Sequence, residues 1–132
     1  MSGGEKKRLC LASVLAWDPE VIILDEPTVG QDELQKNKIL SFIKELNQQN
    51  KTIIIISHDI EFLWNLRPNT IVMSKGEIIK IDSAANIFSN SNIIQNANLI
   101  KPQIVKIWNE LDINSEIPIK IDQISKIIMK RG

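Results

Sequence analysis

The sequence predicts an α/β fold, and three features point to it. "VIILD", Val21 to Asp25, and "TIIIIS", Thr52 to Ser57, are short runs apolar on both faces, the pattern of parallel strands buried between layers. Between them, the residues after Asp32 place apolar side chains at helical spacing. Strand, crossover helix, strand is the unit that builds a parallel sheet, with a right-handed crossover. A chain of 132 residues, 43% hydrophobic and 24% charged, has the size and texture of one globular domain.

The elements follow in order. From Glu5 to about Trp17, Leu9, Leu11, Val14 and Leu15 suit a helix, and Asp18-Pro19 stops it, because the residue before a proline is pushed out of helical geometry. After the Val21–Asp25 strand, "EPTVGQ" is a loop. Asp32 can cap a helix running to about Gln48, with Leu34, Ile39, Ile43 and Leu46 on one stripe and Lys36, Lys38 and Lys44 largely elsewhere. The Thr52–Ser57 strand leads to a short helix, Asp59 to Leu66, that ends at Arg67-Pro68. "TIVMS" is a third strand, and Lys75-Gly76 turns it back into "EIIKID" as a hairpin. Composition changes after Asp82, so residues 1–82 read as a core and 83–132 as a small helical tail. Ser83 to Asn98, rich in asparagine and serine, reads as short helical turns. Pro102 is suited to the first position of a helix "PQIVKIWNEL", and a last helix is expected from Asp122 to Lys130.

Composition excludes several classes. The formal net charge is zero, so bulk electrostatics favour neither nucleic acid nor an acidic membrane surface. The single cysteine, Cys10, cannot form an internal disulfide, and its neighbours Leu9 and Leu11 suggest a buried thiol. No apolar run approaches the length of a membrane span. Lys6 to Arg8 followed by "LCLASVLAW" imitates a secretory signal, but no small-x-small cleavage site follows Ala16.

Three short stretches can carry chemistry. In "SGGE", Ser2 and Glu5 have the spacing of a capping box, and Gly3 and Gly4 leave room for backbone N–H groups to close on an anion at a helix N-terminus. "VIILDEPT" delivers Asp25 and Glu26 to the carboxyl edge of a parallel sheet, where open α/β folds bind ligands. Such a pair can simply solvate a strand end. It is also the arrangement in which P-loop nucleotidases hold Mg²⁺ on the first carboxylate and orient an attacking water with the second. In "IIIISHD", His58, the only histidine, leaves the second strand at the same edge. It is either a structural group or one placed to meet a γ-phosphate.

Taken together, "SGGE", "VIILDEPT", "VGQD" and "IISHD", in this order and spacing, resemble the ATP-binding cassette (ABC) ATPase family. The resemblance implies a partial P-loop NTPase fold, with ATP and Mg²⁺ as cofactors. Met1 to Glu5 then stands for the family signature, with Met1 and Glu5 mild departures. Asp25 matches the Walker B aspartate that serves Mg²⁺, Glu26 the catalytic glutamate, His58 the switch histidine and Asp32 the aspartate of the D-loop. Gln31 stands where that loop usually has an apolar residue. In the family two cassettes bind head to tail, each signature facing nucleotide held by the other. "NIFSNSNIIQNANLIKPQIVKIWNEL" is similar to the tail of cassettes in energy-coupling factor (ECF) transporters, which import vitamins or transition-metal ions. The implied partners are a second cassette and a transmembrane subunit, with no nucleic acid, and the implied place is the cytoplasmic face of the membrane.

No G-x-x-x-x-G-K-[ST] occurs in the 132 residues. The expectation is therefore a cassette's second half, with Met1 an abnormal start on an interior turn and a separate polypeptide supplying the first half. Lacking the strand that bears the phosphate loop, two apolar strands would have unpaired edges, and the chain alone is expected to fold poorly. The alternatives are a truncated or split-frame product without activity, a non-catalytic half that offers its signature to a partner, and a soluble ABC ATPase outside transport.

Overall fold

The computed structural model describes residues 3–111, 116–120 and 122–124, with the backbone alone at 3–5, 7, 8 and 11. The chain forms two compact units, Met1–Asp59 and Ile60–Gly132. The compositional change after Asp82 does not coincide with this division.

The first unit holds helix α1 (Gly3–Leu15), strand β1 (Val21–Asp25), helix α2 (Glu33–Gln48) and strand β2 (Thr52–Ile56). Helix α1 stops two residues before the expected Trp17. There the chain tightens, with Trp17 N–H donating to Val14 O at 3.3 Å and Asp18 N–H to Leu15 O at 2.9 Å. Asp18 takes a left-handed φ of 48° before Pro19. Lys51 Nζ meets Asp18 Oδ1 at 2.6 Å, which ties the entry of β1 to the turn that enters β2.

Strands β1 and β2 pair in parallel, Val21 opposite Thr52 through Asp25 opposite Ile56. Opposite residues of a parallel pair share a face. Ile22, Leu24, Ile53 and Ile55 form the covered face, with Ile22 fully buried, whereas Val21, Ile23, Ile54 and Ile56 are exposed. The expectation of burial on both faces is thus corrected. The sheet has two strands among the described residues, and α2 packs on it through the face that carries Ile43 and Leu46. Leu34, expected on that stripe, lies at the start of α2 and is 64% exposed.

In the second unit, helix α3 (Ile60–Leu66) ends at Arg67, whose φ of 58° precedes Pro68. Strands β3 (Asn69–Ser74) and β4 (Glu77–Ser83) form the expected hairpin. Lys75 and Gly76, at φ 51° and 82°, supply the two left-handed residues that a tight hairpin turn requires. A register shift lies between Val72 and Met73. Helices α4 (Ala84–Ser89) and α5 (Ser91–Asn96) are the short turns read in the asparagine-rich stretch, capped by Ser83 and Asn90. Helix α6 (Gln103–Glu110) begins one residue later than expected, so Pro102 is its N-cap. Glu61 Oε1 accepts the Gln103 N–H at 2.7 Å, replacing the cap that a proline side chain cannot make. Helix α4 packs on α3, β3 and β4, and the buried set of this unit includes Trp64, Val72, Ile87, Phe88, Val105 and Trp108. Residues 122–124 are helical, while the remainder of the expected last helix lies outside the described residues.

Candidate functional site

The two strand ends of the first unit bring the sequence-predicted carboxylates and the histidine together. Pairing holds Asp25 opposite Ile56, and one residue on, Glu26 N–H donates to Ile56 O at 2.8 Å, so the ladder extends just past the strand. Glu26 then takes a left-handed φ of 46°, a conformation that costs an L-residue about 1–2 kcal/mol. Its surroundings repay that cost with hydrogen bonds. Oε1 lies 2.6 Å from His58 Nδ1 and accepts the His58 backbone N–H at 3.2 Å. Oε2 accepts from Ser57 Oγ at 3.4 Å, near the outer limit of a hydrogen bond.

With an ionised Glu26, His58 Nδ1 must carry the proton it shares, which leaves Nε2 facing outward. The hydrogen bond to Glu26, followed by that carboxylate's charge and the charge of Asp59, holds the imidazolium above the usual histidine range. Its side chain is 80% exposed, so this is a contact at the mouth of the site, screened by solvent.

Asp25 is exposed, and among the described residues its carboxylate has no hydrogen-bonding or ionic partner. No group of three or more His, Cys, Asp or Glu that could hold a metal occurs among those residues. A lone free carboxylate still fits Mg²⁺, which keeps several waters and takes one or two carboxylates together with substrate phosphates. Val29 N–H donates to Glu26 O and Gln31 N–H to Thr28 O, folding "EPTVGQ" into consecutive turns that return the chain to α2. Asp32 caps that helix, its Oδ1 accepting Gln35 N–H at 2.8 Å.

Gly3 and Gly4 lie in the first turn of α1 rather than in a loop before it. Ser2 and the Glu5 side chain, the two halves of the expected capping box, lie outside what the structure describes. Cys10, expected to be buried, is exposed. It lines an open, mainly apolar hollow of about 520 Å³ between α1, β1 and α2, with Val14, Ile23 and Phe42, and with Asp25 and Glu26 at one margin. Such a lining suits packing side chains rather than a triphosphate.

Sequence reasoning missed Ser57, Lys36 and Asp59. Ser57 stood in the quoted stretch beside His58, but nothing in a linear pattern tells that Lys36 Nζ reaches Asp59 Oδ2 at 2.7 Å.

Comparison with known proteins bears on the family and the fold. The ABC transporter family model matches residues 1–29. The ATP-binding protein EcfA2 of an energy-coupling factor transporter, from Staphylococcus epidermidis, is 37% identical over 113 residues, which are 85% of this chain and 40% of that protein. The structure of cbiO1 from Clostridium perfringens, part of the ABC transporter complex cbiONQ, superposes with a TM-score of 0.63 at 34% identity, over 83% of this chain and 44% of that one. Over part of their length, this chain is similar to ABC transporter ATP-binding proteins. A second structure, the ABC transporter cassette MJ1267, gives the same TM-score of 0.63 at 26% identity over 72% of this chain and 39% of that one. The α/β fold is therefore that of ABC ATPase cassettes, and the chain spans less than half the length of these relatives. No helix among the described residues is long and apolar enough to cross a membrane.

Proposed function

We propose that the first unit carries the hydrolytic side of an ATP site in a transport ATPase of the energy-coupling factor type. The phosphate cradle is contributed from outside these 132 residues. What carries this reading is the meeting of Glu26 and His58 at 2.6 Å where two parallel strands end, next to Asp25, which has no partner among the described residues. Asp25 would hold Mg²⁺. Mg²⁺ bound there with ATP supplies neutralisation of charge on the phosphate oxygens.

Glu26 orients the attacking water and accepts its proton, exchanging one of the bonds now made to His58 for that water. His58 then has a ring N–H to give to the terminal phosphate. Gly3 and Gly4, in the first turn of α1, together with the neighbouring Ser2 and Glu5 of the same sequence stretch, meet nucleotide held by a second cassette through backbone N–H groups and the positive end of the helix. Asp32 sets the turn at the contact between cassettes. Residues 1–82 serve as nucleotide-binding core and 83–132 as accessory tail, and a transmembrane subunit places the assembly at the inner face of the membrane.

The test is co-expression with a polypeptide that carries a Walker A loop and the preceding strands of an EcfA2-type cassette, followed by assay of Mg²⁺-dependent phosphate release. Glu26→Gln is expected to slow release by about 10²- to 10⁴-fold while nucleotide binding is kept. Release unchanged in Glu26→Gln overturns the hydrolytic role. Binding with no release in the parent assembly indicates instead a half that only offers its signature to a partner.

A further inference from the structure

The segment Ser57 to Asp59 belongs to neither β2 nor α3, so its shape depends on side-chain bonds. Asp59 N–H donates to Ser57 Oγ at 3.1 Å, which closes the turn locally. Two further anchors, His58 with Glu26 and Ser57 with Glu26, both end on the carboxylate proposed to handle the attacking water. A turn held only by that group would move whenever Glu26 let go.

Lys36 supplies an anchor independent of Glu26. It stands in the second turn of α2, its N–H bonded to Asp32 O at 2.9 Å, and its ammonium reaches Asp59 Oδ2 at 2.7 Å and Glu33 Oε1 at 3.6 Å. The side chains of Lys36 and Asp59 are only 26% and 17% exposed, whereas Glu33 is 86% exposed, so the pair with Asp59 is the more shielded one. A carboxylate with that little water needs a cationic or hydrogen-bonding partner, so removing Lys36 would leave Asp59 poorly compensated. The same contact holds the Lys36 ammonium above its ordinary range.

We infer that Lys36 is a positioning residue, which pins Asp59 to α2 so that His58 stays poised over Glu26 when that carboxylate changes partner. The inference rests on the hydrolytic reading of the Glu26–His58 pair, but its geometry can be tested without nucleotide.

His58 is the only histidine in the chain, so its ring resonances can be followed without ambiguity by ¹H–¹⁵N NMR as pH varies. The charged groups that bear on it are Glu26 from the end of β1 and Asp59 from its own turn, with Lys36 of α2 behind Asp59. If Lys36 positions the turn, Lys36→Met loosens the contact with Glu26, and the His58 midpoint falls toward the ordinary value of about 6.5. If Lys36 acted only as a nearby charge, removing that cation would raise the midpoint.

Lys36→Arg is expected to keep the parent midpoint, and Lys38→Met, on an exposed lysine of the same helix, to leave it unchanged. Lys36→Gln, which retains a polar stem, gives the same reading if the methionine variant does not fold. A midpoint that stays or rises in both neutral variants overturns the inference. A fall in the midpoint alongside phosphate release that is indifferent to Glu26→Gln would leave the positioning intact and refute only the hydrolytic reading.

Discussion

His58 Nδ1 lies 2.6 Å from Glu26 Oε1, and the same oxygen accepts the His58 backbone N–H at 3.2 Å. The two residues are held by a ring contact and a main-chain contact at once. Because Glu26 raises the folded-state pKa of His58, the stabilisation from this pair is fully present below the unfolded value of about 6.5 and is lost as pH rises through the raised value. Glu26→Gln is expected to lower the His58 midpoint in an NMR titration. The variant's urea midpoint should fall further behind the parent's at about pH 5.5 than at about pH 8.5. A deficit independent of pH would mean that the carboxylate stabilises the fold through contacts other than the imidazolium.

The cap on α2 offers a second expectation. Asp32 Oδ1 receives the Gln35 N–H at 2.8 Å, one of the donors that the first helical turn leaves without a partner, and its charge lies at the positive end of the helix. Asp32→Ala is expected to cost about 1 kcal/mol in urea unfolding, and Asp32→Ser far less, since a hydroxyl also caps. Since Lys36 is set by the same first turns, the alanine variant should also broaden the His58 resonance.

Much of the first unit was legible because its signals are local. The cap at Asp32, the apolar stripe through Ile43 and Leu46, and the two β-branched strands depend on neighbours within a few residues. The convergence of Asp25, Glu26 and His58 could be read once the strands were known to be parallel, since both chains then leave at one edge. Cys10 was misread because Leu9 and Leu11 are adjacent in sequence but lie about 100° away around a helix, so they say nothing of the face that Cys10 occupies. Lys36 with Asp59 was invisible, because a pair across 23 residues is decided by packing and carries no periodicity.

Gly30 is a position where backbone geometry alone fixes the residue. Its φ is 74°, and a Cβ built there meets nothing within 4 Å, so any cost of substitution comes from conformation and not from crowding. Gly30→Ala is expected to destabilise by about 1–2 kcal/mol, and Gly30→Asn by less, because asparagine tolerates the left-handed region. Equal stability of Gly30→Ala and the parent in urea would show that the turn before Asp32 can relax to a negative φ.

In the second unit, Asp82 links the end of the hairpin to the start of α4. Its Oδ1 accepts Ser83 N–H and Asn86 Nδ2, each at 2.7 Å, and these two bonds, the one from Asn86 foremost, hold its carboxyl below the usual range. For a depressed carboxylate the linkage runs opposite to that of His58. The stabilisation is present above the unfolded pKa of about 3.9 and is lost as pH falls through the lowered folded value. Asn86→Ala, which removes the larger cause while leaving Ser83 to cap α4, is therefore expected to raise the Asp82 midpoint. It should narrow the loss of stability that the parent shows between neutral and acid pH. The midpoint can be read from carboxyl ¹³C shifts, and the stability from urea unfolding at both ends of the range. Should Asn86→Ala leave the carboxyl shift unmoved, the Ser83 amide would be the dominant partner, and the join between β4 and α4 would depend on the main chain alone.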